Sequence, residues 1–230
     1  MILCIETATD ICSAALCDAN KVLTVADAPP GRSHASSLTV LAGQLLEKNG
    51  LRVADLDAVA VSKGPGSYTG LRIGVSAAKG LAYAAAIPLI GINTLAAMCS
   101  GFISSHSGEL TPGTLLCPMI DARRMEVYNA LFLHDGSMFR ETAADIIDEN
   151  SFRDLLNDYR IIFFGNGSEK CSRTIRHPNA VFEEGFRLSA SYLHIPAVNA
   201  LRNKHFEDVA YFEPYYLKEF IATIPGKLLP

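Results

Sequence analysis

One stretch limits the fold of this chain more than any other. An apolar run from Asp57 to Val61 enters Gly64-Pro65-Gly66, and Leu71, Val75, Ala78 and Ala82 then recur at helical spacing before Pro88. A strand that feeds a helix through a glycine-rich turn is the building unit of α/β folds, because the helix returns over the sheet and covers its apolar face. Free backbone N–H groups and the helix dipole meet at such a turn, so Gly64, Gly66, Ser67 and Thr69 are candidates for holding a phosphate. A plain tight connection explains the same glycines. The spacing is not that of a P-loop, since Gly64 and Lys79 lie too far apart.

The preceding residues read as a three-stranded meander, Leu3 to Glu6, Ser13 to Cys17 and Lys21 to Ala26, with turns at Thr9-Asp10 and Asp18-Ala19-Asn20. Leu38, Leu41, Ala42, Leu45 and Leu46 then mark a helix that starts near Ser33 and closes at Asn49-Gly50. A strand from Leu89 to Ile92 and a helix capped by Thr94 complete this half. Residues 101–113, rich in Ser, Gly and Pro, read as a connection. The pattern then restarts, with strands from Leu115 to Ile120 and Glu126 to Leu133, a helix from Phe152 to Leu156, and a strand from Ile161 to Phe164 that enters Gly165-Asn166-Gly167. In each half an apolar strand ends in a carboxylate, Glu6 in the first and Asp121 in the second. This weak repeat predicts two related α/β lobes, residues 1–106 and 107–230, around a cleft that Glu6 and Asp121 approach from facing strand ends.

Charge narrows the function. The formal net charge is −4 over 230 residues, whereas a protein that grips nucleic acid unaided usually carries a basic stripe. The densest basic pair, Arg123-Arg124, is flanked by Asp121 and Glu126, so nucleic acid would be reached through another subunit. Cysteines 4, 12, 17, 99, 117 and 171 show no C-x-x-C spacing and read as reduced, buried thiols. The start Ile2-Leu3-Cys4-Ile5-Glu6 lacks the basic, apolar form of a signal peptide. The apolar stretch Leu81 to Ile92, broken by Pro88 and Gly91, is too short to span a bilayer. A cytoplasmic protein is expected.

The two long helices carry a further signal. Gly70, Gly74, Ala78 and Ala82 form a ridge of small residues, Arg72, Ser76, Lys79 and Tyr83 a polar stripe on another face, and Leu38, Leu41 and Leu45 a stripe on the neighbouring helix led by His34. Small ridges permit close helix approach. They serve either the lobe's own core or a partner laid across both helices.

Several landmarks occur together and in one order. They are the start Ile2 to Thr9, Arg32-Ser33-His34, the segment from Gly64 to Lys79 with Gly80-Leu81-Ala82, Ile120-Asp121-Ala122-Arg123 with Glu126-Val127-Tyr128, and Glu213-Pro214-Tyr215-Tyr216-Leu217-Lys218. Together they resemble the TsaB (YeaZ) family, non-catalytic relatives of the TsaD threonylcarbamoyltransferase in the actin-like, sugar-kinase and Hsp70 superfamily. The resemblance implies a two-lobed fold of that superfamily and a scaffold role in forming tRNA threonylcarbamoyladenosine. It implies a heterodimer with TsaD, in which His34, Leu38, Leu41, Leu45, Arg72, Ser76, Ala78, Lys79 and Tyr83 would lie at the interface. TsaE would join as a third component, tRNA would be met only indirectly, and the chain would self-pair when TsaD is missing.

The chain also departs from its relatives. Ala35-Ser36 stands where the family commonly has Ser-Glu. Where TsaD sets two metal-binding histidines one helical turn apart, His34 is followed at i+4 by Leu38, so no metal is expected. Glu6-Thr7-Ala8-Thr9-Asp10 offers no glycine for a phosphate to approach, so neither a cofactor nor catalysis by the chain alone is expected. The rival readings are a stand-alone phosphotransferase using Glu6 or Asp121 with Mg²⁺ and ATP, and a metallopeptidase, which has neither a histidine pair nor an H-E-x-x-H run to support it.

Overall fold

Short polar side chains turn the second apolar strand back into the third. The Asp18 carboxylate accepts from the N–H groups of Asn20 and Lys21 at 2.7 and 2.8 Å, a local bond that favours a turn over strand or helix. The resulting meander is β1 (Ile2–Glu6), β2 (Ser13–Cys17) and β3 (Val22–Asp27), with β1 and β2 paired antiparallel from Ile2↔Cys17 to Glu6↔Ser13. Two parallel strands, β4 (Ala58–Gly64) and β5 (Leu89–Asn93), extend the sheet on the other side of β1, in the order β3-β2-β1-β4-β5. This computed structural model describes residues 1–29, 31 and 33–218.

A second five-stranded sheet repeats the plan. It contains β6 (Thr114–Asp121), β7 (Glu126–Leu133), β8 (Met138–Ile146), β9 (Arg160–Phe164) and β10 (Ala180–Phe182), in the order β10-β9-β6-β7-β8. As in the first sheet, the earliest strand is central, with two antiparallel strands on one side and two parallel strands on the other. Glu6 and Asp121 close the two central strands. Two mixed sheets flanked by helices form the expected two-lobed α/β architecture.

Helices cover the sheets unequally. On the first sheet, α1 (His34–Lys48) and α2 (Tyr68–Ala85) cover one face, burying Leu38, Leu46, Val75 and Ala78 against Leu3, Ile5, Val59 and Val61. Between the lobes lies α3 (Thr94–Ser105), whose Leu95, Met98 and Phe102 meet Leu116, Phe132 and Phe164 of the second sheet. The Phe102 and Phe164 rings stack with centroids 4.3 Å apart. Among the described residues, the helices beneath the far face of the second sheet are α4 (Arg153–Asp158) and α5 (Ser168–Cys171).

Some boundaries differ from the sequence reading. Asn93, not Thr94, caps α3, because its Oδ1 accepts from the otherwise unpaired N–H groups of Leu95 and Ala96 at 2.9 and 3.1 Å. The helix then runs to Ser105, so the connection is confined to residues 106–113. The second sheet lies wholly within residues 107–230, yet much of the span 190–216 packs on the first lobe. There the open face of the first sheet needs cover, and Ala190, Leu193, Ala197 and Val198, the last two on α6 (His194–Arg202), bury Ile2, Cys4 and Ala60. All six cysteines are buried free thiols. Among the described residues no helix is long and apolar enough to cross a membrane.

A candidate docking face and an interlobe cleft

Local chemistry fixes both ends of the long helices. Ser67 caps α2 by accepting from Gly70 N–H at 3.2 Å, and Ala86, at φ 53°, ends it in the left-handed region. On α1 the Asn49 side-chain amide donates to Leu45 O at 2.7 Å, and Gly50 follows at φ 65°. At the other end, His34 Nε2–H is shared between the carbonyls of Thr9 and Ile11, 3.0 and 3.1 Å away. His34 therefore ties α1 to the β1–β2 turn.

The leucine stripe and the small-residue ridge turn inward. Leu38, Leu45 and Ala78 are 1%, 3% and 0% exposed, and Leu41 is half-buried against the same core. These four do not present the surface that their pattern predicts, because an apolar stripe on a helix beside a bare sheet is buried first by that sheet. The ridge has its own internal use: a Cβ on Gly70 would strike the Thr7 carbonyl, and one on Gly74 would strike the Thr7 hydroxyl. The glycines let α2 lie directly on the end of β1.

What remains outside is a second, smaller-featured face. Ser36, Thr39, Val40, Gly43 and Gln44 of α1 and Thr69, Arg72, Ser76, Gly80 and Tyr83 of α2 are exposed, with Val40 at 53% and Tyr83 at 81%. A Cβ added to Gly43 or Gly80 would meet nothing within 4 Å. Each glycine costs a helix interior about 1 kcal/mol relative to Ala, and no contact among the described residues requires either one. Of the sequence-predicted interface, Arg72, Ser76, Lys79 and Tyr83 sit on or beside this face.

Arg72 and Lys79 also hold the C-terminal arm. Lys79 Nζ donates to the carbonyls of Ala210 and Phe212 at 3.2 and 2.8 Å. The Arg72 guanidinium lies 4.3 Å over the Tyr68 ring and its Nε donates to Tyr216 Oη at 3.1 Å. Along the same arm Tyr215 N–H donates to Lys63 O at 2.6 Å, and Lys63 Nζ pairs with Glu207 at 3.0 Å. Lys218 then pairs with Glu126 of β7, so the arm crosses from one lobe to the other. Sequence spacing alone gave no sign of the arm's pairings, because the partners lie at least 92 residues apart.

Between the lobes is a cleft of about 770 Å³. Gly66, Ser67, Thr69 and Asp121 line it, together with Tyr68, Tyr128, Tyr215 and Tyr216. Two of the residues predicted to share this site lie elsewhere. Gly64 is buried at φ 113° with the Tyr215 carbonyl 2.7 Å from where its Cβ would be. Glu6 lies beneath the cleft wall, fully buried.

The two strand-end carboxylates are held in contrasting ways. Glu6 Oε1 accepts from Ala8 N–H at 2.6 Å, while Oε2 has no partner among the described residues. Burial raises its pKa from 4.5 to about 7, against the opposing pull of the Ala8 N–H, the nearby Ser62 hydroxyl and the Thr7 N–H. Asp121 is exposed and paired with Lys170, whose Nζ also donates to the carbonyls of Arg124 and Glu126 at 2.8 and 2.6 Å. The hairpin it grips places Arg123 and Arg124 at φ 72° and 48°, unusual for residues with a Cβ. Among the described residues no three His, Cys, Asp or Glu side chains converge as a metal-ligand set.

The profile of a family described as TsaD, tRNA N6-adenosine threonylcarbamoyltransferase, matches residues 28–224. The chain is 37% identical, over 134 residues, to the tRNA threonylcarbamoyladenosine biosynthesis protein TsaB of Escherichia coli (strain K12), a match covering 58% of this chain and 55% of that one. With the TsaB protein of Haemophilus influenzae the identity is 28% and covers 98% of both chains. Thus the aligned region spans about half of the first relative and nearly all of the second. A solved Pseudomonas aeruginosa structure, described as an uncharacterized protein with similarity to peptidase YEAZ, superposes with a TM-score of 0.79 at 24% identity, over 94% of this chain and 99% of that one.

Proposed function

The chain belongs to the TsaD family, in its TsaB (YeaZ) branch, and on that premise we propose that it is a non-catalytic docking subunit in tRNA threonylcarbamoyladenosine biosynthesis. Its partner is a TsaD-type transferase of the same two-lobed architecture, which lays its own helices across the outer faces of α1 and α2. The observation that carries this reading is the pair of open glycines, Gly43 and Gly80, set among Val40, Ser76 and Tyr83. They leave room for another backbone where the chain itself has no use for it. A second copy of the chain takes that place when the transferase is missing. TsaE joins the pair as a third component, and tRNA is met through the transferase.

Two features favour an accessory role over a stand-alone phosphotransferase. Lys170 holds the Asp121 carboxylate where such an enzyme would need it for Mg²⁺, and Glu6 is sealed away from the cleft. One specific arrangement favours a phosphate in the cleft all the same: Gly66, Ser67 and Thr69 bring the start of α2 to its wall. Reconstitution separates the readings. The purified chain alone is expected neither to turn over ATP nor to modify tRNA, while omitting it from a mixture with the transferase and remaining components abolishes sustained modification. ATP turnover of roughly 1 s⁻¹ or more by the chain alone, lost on Asp121→Ala, would overturn the docking-subunit reading.

A further inference from the structure

Adjoining the large cleft, and sharing Thr9, Asp10 and Asn166 with it, is a smaller cavity of about 230 Å³. Its apolar wall comes from Ile11, Met98, Phe186 and Leu188, and its charged groups are Asp10 and Arg187. Neither charged side chain makes an ion pair or side-chain hydrogen bond among the described residues, so two opposite charges border one small space without neutralising each other. The surrounding loops are firmly held. His34 anchors the turn that carries Asp10, and Asn166 Oδ1 accepts from Asp121 N–H at 3.1 Å.

The geometry points to a binding site for a small zwitterion of the α-amino-acid class, its carboxylate on Arg187, its ammonium on Asp10 and a short apolar side chain against Met98 and Phe186. The volume lies below the roughly 300–1,000 Å³ of drug-sized ligand sites, which limits the occupant to a small metabolite. Arg187 supplies a planar fork suited to a carboxylate. A ligand with only one of the two charges would leave the other protein group unanswered, so the site selects for both ends at once. This site is independent of the docking face and stands or falls without it.

Isothermal titration of the full chain with L-valine, L-leucine and L-methionine tests the assignment, with L-leucinamide and N-acetyl-L-leucine as analogues lacking one charge each. At least one free amino acid is expected to bind saturably in the millimolar range or tighter, and both analogues at least tenfold more weakly. Arg187→Ala and Asp10→Asn are each expected to weaken amino-acid binding at least tenfold. Because both positions are exposed, the melting temperature should be unchanged. Absence of saturable binding by all three amino acids, equal binding of the amide, or retention of affinity in either variant overturns the proposal.

Discussion

Glu6 and Asp121 end the central strands of two sheets that share one topology, yet the first is sealed and the second lies open. The helix after each glycine turn makes the difference. In the first lobe β4 leads through Gly64-Pro65-Gly66 into α2, 18 residues long, which lies on Thr7 and closes over Glu6. In the second lobe β9 leads through Gly165-Asn166-Gly167 into α5, only four residues long, which leaves Asp121 exposed and brings Lys170 to it. Burial without a countercharge raises the pKa of Glu6 to about 7; Asp121, part-exposed, is instead held by Lys170. The same inequality separates the outer faces. Both α1 and α2 are long enough to offer a two-helix surface, whereas α4 and α5, with six and four residues, are not.

The largest expected effect tests whether the two turns are equally tight. Gly70→Ala drives a Cβ into the Thr7 carbonyl, and Gly167→Ala places one 2.8 Å from the Ile120 carbonyl carbon and 3.0 Å from Asp121 N. Each is expected to lower stability by about 3 kcal/mol in chemical denaturation, since overpacking against backbone has little room to relax. If one lobe absorbs its alanine without loss, the equivalence of the turns fails.

Next comes the carboxylate contrast. The folded pKa of Glu6, about 7, stands above its value of 4.5 in the absence of burial. Between those values the folded state holds the extra proton, so the contribution is fully present below pH 4.5 and is lost as pH rises through 7. The loss amounts to ~3 kcal/mol. Glu6→Gln should remove this slope and make the chain more stable than the parent at pH 8, while Asp121→Asn leaves the slope in place. Urea midpoints measured from pH 4 to pH 8 decide it; an unchanged slope in Glu6→Gln would contradict the sealed carboxylate.

Smaller still is the effect of Lys170. Its substitution by Met removes one part-exposed ion pair and two bonds to carbonyls, and is expected to cost about 1–2 kcal/mol. The change should also loosen the Arg123-Arg124 hairpin, seen as faster amide exchange from 122 to 126. Unaltered exchange there would mean that the hairpin is fixed by something other than Lys170. At the bottom of the scale, Gly43→Ala and Gly80→Ala should each raise stability by up to about 1 kcal/mol, because an alanine there gains helix propensity and meets no obstacle. Thermal melting that fell instead would place an internal contact at these glycines.

Much of the first lobe was legible because its signals were local. Ser13–Cys17 follows from a short apolar run bounded by turn residues, and the α1 boundaries from the Ser33 start and the Asn49-Gly50 stop. Less could be read in the second half of the chain. Strand β8 mixes Arg140, Glu141 and Asp145 with half-exposed positions and has no clean period, and α6 carries Pro196 near its start. The inward stripe on α1 and α2 was visible as a pattern, but a pattern gives a face and not its direction. Leu38 and Ala78 read equally well as core or interface until the sheet beneath them was known. Lys170 and Tyr216 were invisible as site residues, since each acts through a partner remote in sequence.

Affinity for the cognate TsaD-type transferase, measured for Gly80→Leu beside the parent chain, tests the docking claim most directly. A Cβ at this exposed position meets nothing within 4 Å, so the melting temperature of the free chain should hold. Close helix approach would be blocked, at the cost of an interface hot spot, ~2 kcal/mol or a roughly thirtyfold loss of affinity. That loss with normal melting is the predicted result; parent-like affinity would show that the outer faces of α1 and α2 are not where the partner binds.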